Sequence, residues 1–249
     1  ALASEQVSHP LETFTIVFGE RAFSEEAPAA AVAARFGTRH EAIRLTGDDF
    51  FGALPHAFAS MDQPSLDGLN TYVVSGAVRK RGLKVVLSGL GGDEMFAGYP
   101  SFERARRLGR LWRGPAAPRG VAAAVLGQAS GIRAEKLAMM LAQPTAARAA
   151  YMASRALFGP RQVAGLAGRS APRAVGEPPA GLTMLQQVSW YELTGYMRNT
   201  LLRDSDVFSM AHGLELRVPF VDREVARAAA SVSDSLKLAR GVSKPLLLS

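Results

Sequence analysis

The sequence predicts an α/β fold in which a parallel sheet is followed by a mainly helical part. Strand-like and helix-like segments alternate up to about residue 100, as they do in parallel sheets covered by helices. From residue 101 to residue 175 the chain is rich in Ala, Leu and Arg and contains no β-branched runs. Hydrophobic residues make up 48% of the 249 residues, enough for one sizeable core or two smaller ones.

Three strands are predicted in the first hundred residues. Each is a short run rich in apolar, β-branched or aromatic side chains, the pattern of a buried strand. They cover residues 13–18, 41–45 and 84–87. The third strand leads directly into a glycine-rich segment.

Helices are predicted between and after these strands. In the first part they cover the end of a helix at 1–8, then 27–36, a helix beginning near 48, and 69–81. Beyond residue 100, the pairs Gly114-Pro115, Gln143-Pro144 and Gly159-Pro160 divide the chain into several helices. The last segments are predicted as a loop at 176–181, a helix at 182–202 and an extended stretch at 217–220. We place a boundary near residue 100, between a sheet part (1–100) and a helical part (101–249).

Charge is unevenly distributed along the chain. Lys and Arg number 29 against 22 Asp and Glu, and residues 101–175 hold thirteen of the basic residues but only two acidic ones. Such a segment can attract phosphates or nucleic acid, although a solvated helix face is the commoner explanation. Aromatic residues are too sparse there for base stacking. We therefore expect no nucleic-acid partner, and a basic binding module remains a remote alternative.

The composition also excludes several classes of site. Without cysteine, the chain cannot hold a disulfide, a thiolate zinc site, an iron–sulfur cluster or a Cys nucleophile. It has no apolar run of about 18 residues. Its start does not show a charged-then-apolar signal segment. We expect a cytoplasmic protein without a membrane partner.

Residues 88–94, Ser-Gly-Leu-Gly-Gly-Asp-Glu, are the segment most typical of a ligand-binding or catalytic site. They follow a predicted strand at the place where open α/β sheets bind ligands. The glycines let backbone amides approach an anion, and Asp93 and Glu94 add carboxylates, a combination that suits a phosphate bridged by Mg²⁺. Taken alone, the segment equally supports a tight turn in which Asp93 caps the next helix.

Other motifs do not fit the sequence. A dinucleotide-binding G-x-G-x-x-G would require glycine at Glu94, and the G-x-x-x-x-G-K-[ST] phosphate loop is absent. The surroundings of Ser88 are not the G-x-S-x-G of a hydrolase. The four histidines show no metal-ligand spacing.

Two long segments resemble the asparagine synthetase family. Residues 85–99 resemble its nucleotide-site segment, and residues 202–222 resemble its downstream signature Ser-Met-Ala…Glu-x-Arg-x-Pro-Phe-x-Asp. Shorter family-like segments occur in the same order at 13–18, 37–40 and 62–65. The resemblance covers most of the chain and is weakest in the basic middle.

The resemblance implies the synthetase domain of a glutamine-dependent asparagine synthetase, with a sheet of the adenine-nucleotide α-hydrolase type. Such enzymes adenylate the carboxylate of aspartate, release pyrophosphate, and let ammonia displace AMP. The implied cofactors are ATP and Mg²⁺, and the implied substrates are aspartate or a related carboxylate and ammonia from glutamine. A homodimer is left open.

Site residues follow from the resemblance position by position. It assigns Ile16 to the adenine and ribose pocket, Ser88 and Gly89 to AMP and the acyl substrate, and Asp93 to Mg²⁺. The residues expected to support the loop and the helix below it, partly by ion pairing, are Gly91, Gly92, Glu94, Asp206, Glu215 and Arg217.

Leu90 departs from the family pattern. Glutamine-dependent members have Glu at this position, and Leu can act neither as an acid nor as a base. The catalytic residue is therefore unassigned, and an acceptor other than aspartate stays open, as in relatives that form β-lactams, cyclise peptides or amidate sugar acids.

Three further family features are not found in the sequence. The Ser-Gly-Gly-x-Asp-Ser loop is expected upstream of Ala1, and the glutaminase domain with its N-terminal Cys is absent. The essential family Lys is expected past Ser249, because Lys244, the candidate within the chain, lies in a Ser-Lys-Pro setting that matches poorly. We expect the chain to be a piece of a longer protein and to be inactive in isolation.

Overall fold

A computed structural model describes residues 2–18, 26–65, 67–129, 131–168, 176–238 and 244–248. The protein is an α/β protein in which helices predominate, as predicted. It divides into two compact units, unit 1 (1–86 and 203–217) and unit 2 (87–202 and 218–249). The boundary near residue 100, drawn from helical content alone, stays a prediction.

Unit 1 is built around a parallel pair of strands, β1 (Glu12–Phe18) and β2 (Arg39–Leu45). Both strands were expected from their apolar and β-branched residues, and Ile16 lies opposite Ile43 in the register. Its helices are α1 (Leu2–Glu5), α2 (Glu26–Phe36), α3 (Gly47–Ser60), α4 (Gly68–Arg79) and most of α12 (Leu202–Met210). The core contains Ile43, Val78 and Leu214, with Phe14, Ile16, Leu45, Val74, Ala77, Leu83 and Val86 packed against it.

Two helix ends in unit 1 are formed by residues that favour them. Gly37, directly after α2, adopts a left-handed backbone with φ of 61°. Thr46 begins α3 through a capping box, in which its hydroxyl accepts from the Asp49 amide and the Asp49 carboxylate accepts from the Thr46 amide. The predicted helix start near residue 48 is confirmed.

The third predicted strand differs from expectation. β3 (Val85–Leu87) pairs with β4 (Glu215–Arg217), so the described strands form two small two-stranded sheets instead of one. The prediction that β3 is buried is wrong, because Val85 is 42% and Leu87 63% exposed. A three-residue strand with a single partner does not have both faces covered. The extended stretch predicted at 217–220 also ends early, because a 3₁₀ turn covers Pro219–Val221.

Unit 2 is helical, and the predicted series of short helices is confirmed. Its elements are α5 (Gly92–Met95), α6 (Pro100–Trp112), α7 (Ala116–Gln128), α8 (Ile132–Leu141), α9 (Ala146–Arg155), α10 (Pro160–Ala167), α11 (Met184–Tyr191), α13 (Arg223–Ser231), α14 (Asp234–Lys237) and α15 (Pro245–Leu248). Helices α6, α9 and α11 pack together around Phe102, Tyr151 and Tyr191. The small residues Ala105, Ala147 and Ala150 are fully buried between these helices and allow close packing.

One segment of unit 2 has an unusual geometry. Glu192–Leu201, which continues α11, is π-helical over ten residues, although the sequence predicts an ordinary helix there. Wide π-helical turns are rare and often occur at functional sites. Among the described helices of both units, none has the length and apolarity needed to cross a membrane.

Candidate functional site

The glycine-rich loop forms a tight turn that leads into α5. The Gly92 amide donates to the Gly89 carbonyl at 3.2 Å, and the Leu90 amide donates to Ser88 Oγ at 3.3 Å. Gly91 has φ of 97°, and a Cβ atom there would lie 2.9 Å from Val221 Cγ2. Glycine is therefore required at residue 91 both for its left-handed backbone and for close contact with the segment after Val218.

Asp93 does not cap the helix that follows the loop. The cap position of α5 is Gly91, which has no side-chain cap bond, so the simple capping explanation of this carboxylate is wrong. Instead, Asp93 Oδ1 lies 3.0 Å from Lys244 Nζ, and both side chains are about one-third exposed. A carboxylate and an ammonium thus meet beside the loop and remain accessible to a ligand.

Lys244, the candidate lysine within the chain, lies beside the loop. Its Ser-Lys-Pro setting argued against it, but the structure brings it to Asp93, 151 positions earlier in the chain. The backbone of Lys244 is left-handed, with φ of 53°, which is unfavourable for a residue with a Cβ atom. The signal that could have identified it is its position downstream of the second signature.

Glu94 lies below the loop and is only 1% exposed. Its Oε1 accepts a 2.8 Å hydrogen bond from the Tyr99 hydroxyl. Burial raises the pKa of Glu94, and this outweighs the hydrogen bond from Tyr99, which lowers it. Burial and the nearby Glu94 carboxylate also raise the pKa of Tyr99, so this hydroxyl stays a donor at neutral pH.

A second buried carboxylate, Glu192, lies at the start of the π-helical segment and is not exposed at all. Ser101 Oγ donates to Glu192 Oε1 at 2.7 Å, and Arg155 Nε donates to Glu192 Oε2 at 2.9 Å. Burial raises the pKa of Glu192 despite these partners. None of Ser101, Arg155 and Glu192 was singled out from the sequence, because nothing local distinguishes them from other polar helix residues.

The protonation of Glu94 makes stability depend on pH. A carboxyl group whose pKa is raised on folding binds its proton more tightly in the folded state than in the unfolded state. Its contribution to the free energy of unfolding is therefore complete below the unfolded glutamate pKa of 4.5, and it is lost as pH rises through the raised value. We expect the free energy of unfolding of Glu94→Gln to fall less than that of the wild type as pH rises above 4.5. Urea titrations across this range measure the difference.

Glu103 provides a control of opposite sign. Hydrogen bonds from Arg106 and Arg107 lower the pKa of Glu103 to about 2, so its contribution is present above the usual glutamate value and is lost as pH falls. Glu103→Gln should therefore change the pH dependence of the free energy of unfolding only at acid pH. Identical pH profiles for Glu94→Gln and the wild type would contradict the raised pKa of Glu94.

The remaining predicted site residues lie in unit 1. Ile16 is partly buried on β1 and packs against the core of that unit. Glu215 Oε1 and Arg217 Nε pair with each other at 2.7 Å, with both side chains more than half exposed. Asp206 is exposed on α12, whereas the neighbouring Asp204 is buried and accepts a hydrogen bond from Ser65. In unit 2 the structure gathers the loop residues Ser88, Gly89, Gly91, Gly92, Asp93 and Glu94.

The described side chains near the loop do not form a complete metal site by themselves. Within the described ranges, no three His, Asp or Glu side chains come together in a group that could hold one. Asp93 is a single carboxylate with an ammonium at one oxygen. Since Mg²⁺ is commonly bound by one or two carboxylates together with substrate phosphates, this arrangement fits an ion that arrives with a nucleotide. It does not fit a dedicated protein cage.

Fold and site together define a mainly helical α/β protein with a glycine-rich loop, beside which Asp93 forms an ion pair with Lys244. Comparison with known proteins then identifies the family: the family model for asparagine synthase matches residues 1–248, so the chain belongs to the asparagine synthase family. The family inferred from the two signatures is confirmed.

Curated relatives agree with this assignment. The chain is 28% identical to asparagine synthetase [glutamine-hydrolyzing] 1 of Bacillus subtilis, over 96% of the chain and 39% of that protein. It is 30% identical to a putative asparagine synthetase [glutamine-hydrolyzing] of Mycobacterium bovis, over 98% of the chain and 39% of that protein. The chain thus spans about two-fifths of the length of these relatives.

Proposed function

We propose that this chain is the synthetase domain of an ATP-dependent carbon–nitrogen ligase, which activates a carboxylate as an acyl-adenylate and passes it to ammonia. One observation carries the proposal: the signature loop of an asparagine synthase family chain holds Asp93 against Lys244. A carboxylate is a poor acyl donor, and adenylation supplies the leaving group that ammonia can displace.

Each proposed role uses the chemistry of the residue concerned. Ser88 and Gly89 contact AMP and the acyl substrate, and Gly91 and Gly92 let the loop backbone come close to them. Lys244 places a positive charge where negative charge develops on the departing pyrophosphate. Asp93 is the residue that would hold Mg²⁺, which when bound neutralises charge on the phosphates. The assignment of Ile16 to the adenine and ribose pocket is part of the same proposal.

The finer identity of the reaction is proposed from the relatives. Their names specify asparagine synthetases that hydrolyse glutamine, so we propose aspartate as the acceptor and glutamine-derived ammonia as the nitrogen source. A sheet of the adenine-nucleotide α-hydrolase type is proposed with them. A homodimer and a cytoplasmic location stay predictions.

Leu90 favours a second candidate, a ligase of the same chemistry that adenylates a different carboxylate. Leu90 is partly buried in the loop, and its backbone amide donates to Ser88 Oγ. An apolar side chain at this place offers no acid or base to an aspartyl intermediate. Acceptors with larger apolar parts would suit it better.

Pyrophosphate release by the full-length protein tests both candidates. The protein is supplied with ATP, Mg²⁺ and ammonia, and the acceptor is either aspartate or one of a panel of other carboxylic acids. Aspartate-dependent release supports the asparagine reaction, and release only with another acid supports the second candidate. If no carboxylate stimulates release, both are wrong.

The Asp93→Asn variant tests the site in the same assay. Loss of the charge that faces Lys244 and the phosphates should lower the rate of pyrophosphate release by roughly 10²–10³-fold. Asp48→Asn, at an exposed carboxylate in the first turn of α3, is the matched control and should keep the wild-type rate. A fully active Asp93→Asn enzyme would contradict the proposed role of Asp93.

A further inference from the structure

Arg155, the last residue of α9, is enclosed on several sides. Its guanidinium carbon lies 4.3 Å from the centre of the Tyr99 ring and 3.6 Å from that of Tyr196. Its Nε donates to Glu192, and its side chain is only 22% exposed. Stacking a guanidinium on aromatic faces while it bonds a carboxylate strongly restricts its orientation.

Tyr99 connects Arg155 to the loop. One face of its ring meets the guanidinium, and its hydroxyl donates to Glu94 at 2.8 Å. Glu94 lies on α5 directly after Asp93, and the turn that ends this helix is closed by a 2.9 Å bond from the Gly98 amide to the Asp93 carbonyl. A shift of Tyr99 would therefore be transmitted to the short turn that carries Asp93.

The other side of Arg155 is fixed by the π-helical segment. Glu192 and Tyr196, which contact the guanidinium from two directions, are both in this segment. Glu192 is held in turn by Ser101, at the start of α6. The guanidinium is thus supported by α6 and the π-helical segment at the same time.

The positive charge of Arg155 lies among buried carboxylates and aromatic rings. Glu94 and Glu192 are both buried, and burial and, less strongly, the charge of Glu192 raise the pKa of Glu94. Arg155 pairs with Glu192, and its guanidinium lies over the face of the Tyr99 ring, 4.3 Å from the ring centre. A neutral residue of similar length would keep the packing volume but lose both of these effects.

We propose that Arg155 is a positioning residue for the adenylating site. It fixes the Tyr99 ring and, through the Tyr99 hydroxyl, holds Glu94 and the turn that carries Asp93. This inference rests on the proposed function for its kinetic consequence, but its structural consequence can be measured without any activity.

Amide hydrogen exchange of residues 88–99 in the full-length protein is the first measurement. Arg155→Met should speed exchange in this peptide by about tenfold, because the turn opens locally more often. Arg155→Lys keeps the charge but not the planar stacking, and it should recover part of the protection. Arg110→Met, at an exposed arginine of α6, is the matched control and should leave the peptide unchanged.

Steady-state kinetics of pyrophosphate release are the second measurement. Arg155→Met should lower kcat about tenfold with a smaller change in the KM for ATP, since it misplaces Asp93 without removing a ligand contact. Tyr99→Phe should act in the same direction, and the double variant should be no worse than Arg155→Met alone. Additive effects, or unchanged loop exchange in both Arg155→Met and Arg155→Lys, would overturn the proposal. If even the wild type releases no pyrophosphate, the proposed function fails, while hydrogen exchange still decides the positioning role.

Discussion

Replacing Gly98 with alanine is expected to disable the site more thoroughly than its small size suggests. A Cβ atom at residue 98 would lie 1.9 Å from Asp93 Oδ1, 2.8 Å from Asp93 Cγ and 3.0 Å from Asp93 Cα. The first two contacts displace the carboxylate from Lys244, and the third presses on the backbone of the same turn. We expect pyrophosphate release to fall by roughly 10²-fold or more, as for loss of a charged group in the site.

The stability of Gly98→Ala should fall as well. Forcing an extra methyl group into a packed position typically destabilises a protein by about 1–3 kcal/mol. Gly120→Ala is the matched control, because nothing lies within 4 Å of a Cβ atom at that position of α7. In a helix interior this control should raise stability by about 0.5–1 kcal/mol. Thermal unfolding of both variants, with the assay above, measures the contrast.

A Gly98→Ala protein with wild-type activity and stability would show that the turn adjusts at no cost. That result would also weaken the role of Asp93, since its carboxylate could not then keep its place against Lys244. A loss of stability with full activity would separate the two effects and leave the turn as a purely structural feature.

The parts of the fold that could be predicted are those with a local signal. The β-branched run at 13–18 predicts β1, and the glycines and carboxylates of residues 88–94 mark the loop. These patterns act through neighbouring residues, so a short window of sequence contains them. The pairing of β3 with β4 joins segments more than a hundred residues apart, and no local pattern indicates it.

The contacts that complete the candidate site are long-range for the same reason. Arg155 is one of thirteen basic residues in its segment, and only its distance to Glu192 and to two tyrosine rings distinguishes it. The neighbours of Lys244 in sequence match the family pattern poorly, and the contact that marks this lysine joins it to Asp93, far away in the chain. Charge composition alone therefore describes the basic middle as a solvated surface, although one of its residues is an enclosed cation.

Removing Glu192 should cause the largest loss of stability predicted for unit 2. Its carboxylate is fully buried and bonds both Ser101 and Arg155, so Glu192→Ala leaves the guanidinium beside two rings without its counter-charge. Breaking a buried ion pair at one partner typically costs about 3–5 kcal/mol. Urea unfolding of the single variant, followed by circular dichroism, measures this loss.

The double variant Glu192→Leu with Arg155→Met tests why the single variant should lose so much stability. If the cost comes mainly from stranding a charge, removing both partners and filling their volume should recover much of the stability, because neither charge is then left buried. The double-mutant cycle should therefore give a coupling free energy of about 1–3 kcal/mol between the two positions. Strictly additive losses would mean that the two side chains stabilise unit 2 by packing alone. In that case the buried pair would not be the element that holds Tyr99 beside Glu94.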